Sequence, residues 1–355
     1  MHRFTKLTMA AAAMTLVLAA CGSDSGGEDQ TGTEAGGDGP KVGVAYDVGG
    51  RGDQSFNDSA AAGLEKAEAD LGAEIKEVEA GVGESDADRE ERLRILADAG
   101  YNPIIAVGFI YSPAVGTVAA EYPDTNFAVV DGYVTFLTGD MVEVPNVADL
   151  VFAEEQGSFL VGAAAALKTQ SKTVGFVGGV NGPIIQKFEA GYKAGVAAVD
   201  PKIEVLTEYL SQDDAQKGFE NPSGGETAAT GMYENGADIV YHAAGKSGLG
   251  VFDAVEAAGE GNWAIGVDSD QYLTADPAQQ PFILTSMLKR IDVAVFEYVQ
   301  AFADGEPPAG VALYDLKVDG VGYSTSGGFV DDIAGELDGF AEQIKNEEIT
   351  VPTTP

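Results

Sequence analysis

The sequence predicts an α/β protein built as two similar open parallel-sheet lobes with a cleft between them. Three observations carry this. From Lys41 onward, short apolar runs alternate with stretches of helical spacing, the pattern of parallel β-α-β units. The same order of elements occurs twice. About 315 residues follow an N-terminal leader and tether, a length that suits two domains.

In the first half, Lys41–Asp47 (KVGVAYD) is an apolar run ending at an acid, and Gly49, Gly50 and Gly52 mark a loop. Phe56–Leu71 has helical spacing, and Ile75–Val78 reads as a weak strand. Ser85–Ala99 is a charged helix with RLRIL on its apolar face. Ile104–Phe109 is a strand, Pro113–Glu121 a helix and Asn126–Asp131 a strand. The second half repeats the order. Thr173–Gly178 is a strand, followed by a glycine-rich loop and a helix from about Ile185 to Val199. Ile203–Tyr209 is a strand, Pro222–Asn235 a loop and helix, Ile239–Ala243 a strand, Leu249–Ala258 a helix and Trp263–Asp268 a strand. A further helix is expected from about Asp292 to Ala303.

The halves align by their residues. GVAYD-loop-FNDSAAAGLEKA corresponds to GFVGG-loop-FEAGYKAGVAAV, and FAVVDG to AIGVDS. Phe56 and Phe188 then both fall at the start of the first helix of their half, and Asp131 and Asp268 both end a late strand. The separations are similar, 75 residues from Phe56 to Asp131 and 80 from Phe188 to Asp268. This is a repeat of a whole half-protein rather than a short solenoid period. Open α/β sheets bind ligands outside the carboxyl ends of their strands. Pseudo-symmetry places Phe56 and Phe188 on opposite walls of the cleft, where two rings can clamp a flat ring. Stacking of this kind is worth about 1–3 kcal/mol per base in nucleic-acid sites. Asp131 and Asp268 would accept hydrogen bonds from a ligand. Spacing alone equally allows both phenylalanines to be core residues and both carboxylates to be caps or loop bonds.

The N-terminus reads MHRFTKLTMAAAAMTLVLAACGSDSGG. Arg3 and Lys6 precede an apolar run that ends at Ala20. At about 14 residues the run is shorter than the roughly 20 a membrane-spanning helix needs, and it has the layout of a secretory signal. Leu18-Ala19-Ala20-Cys21 matches the lipobox of bacterial lipoproteins, with Cys21 acylated and cleaved to become the new N-terminus. Residues 21–40 are rich in Gly, Ser, Thr and acids, and read as a flexible tether. The expected location is the extracytoplasmic face of the cell membrane. Cys21 is the only cysteine, so no intramolecular disulfide can form. The two histidines are His2 and His242, so a zinc site or a Ser-His-Asp triad would rest on His242 alone. No metal or cofactor is expected. The net charge of −37 becomes about −39 once Arg3 and Lys6 are removed, which disfavours nucleic acid and anionic headgroups as partners.

AYDVGGRGDQSFNDSAAAGL resembles the opening signature of the basic membrane protein family. VVDG, GFVGG, FEAGYKAG, GVDSDQ and TSMLKR fall in that family's order, and the resemblance covers almost all of residues 41–330. It implies a lipoprotein substrate-binding component of an ABC importer with the type I periplasmic-binding-protein fold. It also implies purine nucleosides as ligands, with Phe56 and Phe188 stacking on the base and Asn57 and Asp131 bonding its edge. Asp268, Lys289, Asp47 and Gly245 would lie around the ribose. Lys289 near Asp268 would then be an interacting pair rather than a surface lysine. Two features depart from the family's pattern. The loop GGRGDQ carries Arg51 where an apolar or acidic residue is common, and Gln212–Gly224 is long and acidic. GFVGGVNG follows a strand and precedes a helix but is not G-x-G-x-x-G, which speaks against dinucleotide binding.

The expected layout is a first lobe of residues 41–152 plus 285–307 and a second of 153–284 plus 308–355. The chain would cross near Leu150, Leu284 and Pro308, and the tail from about Glu347 would be frayed. A monomer is expected that captures its ligand by hinge closure and presents the closed form to a permease and its ATPase. Three rivals stand beside this: a binder of a sugar or other small polar solute in the same fold, a surface lipoprotein with a sensory or host-facing role, and an exported enzyme with paired carboxylates.

Overall fold

The structure is a computed structural model that describes residues 39–142 and 144–355. The expectations for the leader, for Cys21 and for nearly all of the tether fall outside the described residues. The first half contains β1 (Lys41–Ala45), α1 (Phe56–Leu71), β2 (Glu74–Val78), α2 (Asp86–Asp98), β3 (Ile104–Val107), α3 (Ser112–Glu121), β4 (Phe127–Val130) and β5 (Val147–Phe152). The second contains α4 (Glu154–Lys168), β6 (Thr173–Val180), α5 (Pro183–Val199), β7 (Glu204–Ser211), α6 (Ala215–Phe219), α7 (Pro222–Glu234), β8 (Ile239–Ala243), α8 (Leu249–Ala258), β9 (Trp263–Asp268) and β10 (Ile283–Lys289). After these come α9 (Ile291–Ala303), β11 (Gly310–Tyr314), β12 (Val321–Tyr323) and α10 (Ala334–Lys345).

The strands form two six-stranded sheets, in the orders β11-β5-β4-β3-β1-β2 and β12-β10-β9-β8-β6-β7. All pairings in the first are parallel. The second differs at one edge, where β12 runs antiparallel to β10. The central strands are near-continuous buried runs, such as IIAV in β3 and IVYHA in β8, as expected of strands covered on both faces. Local signals set the helix starts. Ser85 and Asp88 make a capping box on α2. Pro183 stands in the first turn of α5, two residues before the expected start at Ile185, because proline suits that position.

Two lobe boundaries differ from expectation. β10 pairs with β9, so residues 283–289 belong to the second sheet and the chain passes back at Arg290. β11 pairs with β5, so residues 310–314 belong to the first sheet and the last passage lies between Tyr314 and Val321. In both cases a strand joins the sheet of the lobe it is leaving before the chain crosses: β10 lies between β9 and β12 in the second sheet, and β11 forms an edge of the first. The first passage lies at Ala153, between β5 and α4.

The repeat is visible in the packing. Gly63 and Gly195 stand seven residues after Phe56 and Phe188 respectively. A Cβ on Gly63 would lie 2.4 Å from the Asp292 carbonyl oxygen at the start of α9, and one on Gly195 would lie 2.0 Å from the Phe159 oxygen of α4. Each lobe therefore seats its first helix against a helix that carries the chain across, at backbone contact. Phe188 does not sit at the start of its helix as Phe56 does; it is the sixth residue of α5. Gly63→Ala and Gly195→Ala should each destabilise the protein by about 1–3 kcal/mol through overpacking. Gly335→Ala in α10, which meets nothing within 4 Å, should be neutral or stabilising by about 0.4–1 kcal/mol. Denaturant unfolding of the three variants checks this, and equal effects would contradict the close-approach account.

Candidate functional site

Between the lobes lies a cavity of about 580 Å³, part of it open to solvent. From the first lobe it is lined by Asp47, Val48, Asp53, Phe56, Asn57, Phe109 and Asp131. From the second come Ile184, Ile185, Phe188, Phe219, Ala243, Gly245, Lys246, Val267, Asp268 and Lys289. All eight residues selected from the sequence are among them. Most stand at carboxyl ends of strands: Asp47 after β1, Asp131 after β4, and Asp268 and Lys289 closing β9 and β10. Asp131 and Asp268 share a left-handed backbone, φ 59° and 63°, which Asp tolerates better than most residues. The same turn at the same place in each half aims one carboxylate from each lobe at the cavity.

Lys289 is the centre of the floor. Its side chain is 1% exposed. Nζ donates to Asp131 Oδ2 at 2.7 Å, lies 2.6 Å from Asp131 Oδ1 and stands 3.1 Å from Glu154 Oε1. The ring centroids of Phe152, Phe56 and Phe188 are 4.9, 5.2 and 5.5 Å from it, within cation–π range. Burial pushes the ammonium toward neutrality, but Asp131, Glu154 and Asp268 more than offset this and hold it charged. Burial likewise raises Glu154, yet Lys289 and Lys187 outweigh it and keep its carboxyl below the usual range. Asp131 is raised by burial, which Lys289 offsets only in part. A buried ion set of this kind is tolerable only when every member is paired.

The aromatic residues serve two purposes. Phe188 is 3% exposed and belongs to the main core cluster, while also facing the cavity; Phe56 is half-buried and packs against the same cluster. Asn57 donates from Nδ2 to Asp53 Oδ2 at 3.2 Å, and its Oδ1 is buried without a partner. Asp47 is backed by Gly108, whose φ is +110° and whose Cβ would lie 2.1 Å from Asp47 Oδ2, so only glycine fits there. Burial pushes both Asp47 and Asp268 up to about 7.

The sequence reading did not select Asp53, Phe109, Phe219 and Lys246. Phe219 ends α6, inside the long acidic segment 212–224, and a Cβ on Gly179 would lie 2.3 Å from its ring. That segment thus adds a second aromatic side chain, beside Phe188, to the second lobe's wall. The other departure, Arg51, is turned to its own lobe: it pairs with Glu65 at 2.6 Å and Glu77 at 3.3 Å. His242 is fully buried in β8, edge-on to Phe252, with its imidazole pushed down to about 4 by burial. It stays neutral and away from the cavity, so no His-centred triad forms there. Among the described residues, no group of three or more His, Cys, Asp or Glu could hold a metal ion.

A family model described as ABC transporter substrate-binding protein PnrA-like matches residues 40–355. The CD4+ T-cell-stimulating antigen of Listeria innocua is 32% identical over 96% of this chain and 95% of its own. The ABC transporter nucleoside-binding protein BmpA of Lactococcus lactis is 30% identical over 99% of each. Among solved structures, an ABC transporter solute-binding protein from Aeropyrum pernix K1 superposes with a TM-score of 0.76 at 28% identity, covering 88% of this chain and 93% of that one.

Raised carboxyl groups make stability depend on pH. A carboxyl whose folded value lies near 7 holds a proton that the unfolded chain has released, so folding loses stability as pH rises from about 4 through 7. Asp268→Asn removes that loss. Without ligand, the melting temperature of Asp268→Asn relative to wild type should rise across this window and level off above it. A difference that stays constant from pH 4.5 to 8 would contradict the burial of a titrating carboxyl.

Proposed function

The chain belongs to the PnrA-like family of ABC transporter substrate-binding proteins, and from that premise we propose that it captures purine nucleosides for import. The observation that carries this reading is the pairing of Phe56 and Phe188, one from each lobe, on a single cavity also lined by Asn57, Asp131, Asp268 and Lys289. A flat base between the two rings would gain stacking worth about 1–3 kcal/mol. The unpartnered Asn57 Oδ1 offers an acceptor to a base N–H. Asp268 and Lys289, from the second lobe, offer an acceptor and a donor to ribose hydroxyls. The name of the Lactococcus lactis relative, a nucleoside-binding protein, points the same way.

The action is capture rather than catalysis. The first lobe supplies Phe56, Asn57 and Asp131, the second Phe188, Asp268 and Lys289, so only the closed form lets a ligand touch both sets. Closure is then favoured by the ligand's differential contacts, and a permease with its ATPase would receive the closed form. The lipobox at Cys21 fits anchoring at the outer face of the membrane. Cys21→Ser should release the protein from the cell's membrane fraction into the medium or periplasm; retention in the membrane fraction would contradict the lipid anchor.

Thermal unfolding tests the ligand. A ligand at about a thousand times its dissociation constant adds roughly 4 kcal/mol to the folded state. Inosine, guanosine and adenosine should raise the melting temperature by several degrees, and Phe56→Ala should abolish most of the shift. A shift with ribose or galactose and none with nucleosides would overturn the nucleoside reading while leaving the fold and family untouched.

A further inference from the structure

We propose that Ser55 is a cross-lobe clasp: it couples closure of the cleft to the orientation of the Asp268 carboxylate that faces the ligand. This rests on the nucleoside-capture reading only in taking Asp268 as a ligand contact. Ser55 precedes Phe56 at the N-terminus of α1 and is fully buried. Serine at that position ordinarily accepts a hydrogen bond from the backbone of the first turn. Here it does not cap its helix at all. Asp53 does so instead, accepting from the backbone N–H of Asn57 at 2.8 Å and of Asp58 at 3.1 Å. Asp53 also accepts from the Ser55 N–H, at 3.0 Å.

The hydroxyl so released points across the cleft. Ser55 Oγ donates to Asp268 Oδ2 at 2.6 Å and lies 3.3 Å from the Val267 carbonyl oxygen. The second lobe answers from the next residue, where Ser269 Oγ donates to the Ser55 carbonyl oxygen at 3.1 Å. One residue of the first lobe thus meets three consecutive residues of the second, and these contacts exist only when the lobes are together. Asp268 stands in a left-handed turn, and Ser55 holds one of its oxygens, leaving the other for a ligand. Because Phe56 follows directly, the movement that brings in the ring also sets the carboxylate. The groups facing Asp268 are Lys289 and Asp131 on the cavity floor and Asp53 behind Ser55. None of these besides Ser55 donates a hydrogen bond to Oδ2.

Ser55 is therefore a positioning residue, and its loss should show in dissociation rather than in folding. With inosine as probe, Ser55→Ala should release it roughly ten- to a hundredfold faster, the range for losing a hydrogen bond to a charged group. Association should stay nearly unchanged, since encounter precedes closure. The ligand-free melting temperature should hold because Asp53 still caps α1. Ser55→Thr, which keeps the hydroxyl, should recover most of the slow release. If Ser55→Ala does not fold, Ser269→Ala removes the reciprocal bond and should speed release in the same direction. An unchanged dissociation rate, or a loss confined to association, would overturn the clasp. If wild type fails to bind inosine, the nucleoside reading falls, and the clasp is decided without ligand. Spin labels at Glu91→Cys and Glu234→Cys, one on each lobe, with Cys21→Ser throughout, report the distance between lobes. A closed population that shrinks in Ser55→Ala supports the clasp, and identical distributions overturn it.

Discussion

Burying a primary ammonium costs several kcal/mol unless carboxylates and aromatic faces replace its water, and the cleft is organised around meeting that demand for Lys289. Asp131 reaches it from the first lobe, Glu154 from the first turn of α4, and Phe56, Phe152 and Phe188 enclose it. These contacts come from both lobes and from the segment that joins them. The charge network is therefore a property of the closed arrangement, not of either lobe. It also explains why so acidic a chain carries a lysine at its centre: without it, Asp131, Glu154 and Asp268 would face one another in a nearly dry space.

The repeat gives the site its geometry. Each half ends a late strand with an aspartate in a left-handed turn, and each seats its first helix by a glycine at backbone contact. Those helices carry the phenylalanines. The halves are not copies at the residue level, because Phe188 lies more than a turn into α5 while Phe56 opens α1. Phe188 is consequently the more buried ring, part core and part wall, and Phe56 the more exposed one. The second lobe adds Phe219 on α6, which has no counterpart among the first half's helices.

Much of this was legible in the sequence, and the failures have physical causes. Strands such as Ile239–Ala243 and Trp263–Asp268, and helices such as Phe56–Leu71, follow from period and from their glycine and proline boundaries. Helix α4 does not, because GSFLVGAAAA is apolar and small on every side; a helix buried all round has no amphipathic stripe to read. Strands β10 and β11 escaped because their sheet membership is set by pairing with β9 and β5, a fact of topology with no local signature. The eight cavity residues were found through the repeat and the family signature. Asp53 and Ser55 were not, since a serine before a helix reads as its cap, and only the structure shows Asp53 taking that place while the Ser55 hydroxyl turns to Asp268.

The most direct measurement is a crystal structure of the protein grown with inosine. The account predicts the base lying flat between the Phe56 and Phe188 rings, its edge on Asn57 and Asp131, and its ribose hydroxyls on Asp268 and Lys289. Inosine bound elsewhere, or held in the cleft with its base away from both rings, would contradict it.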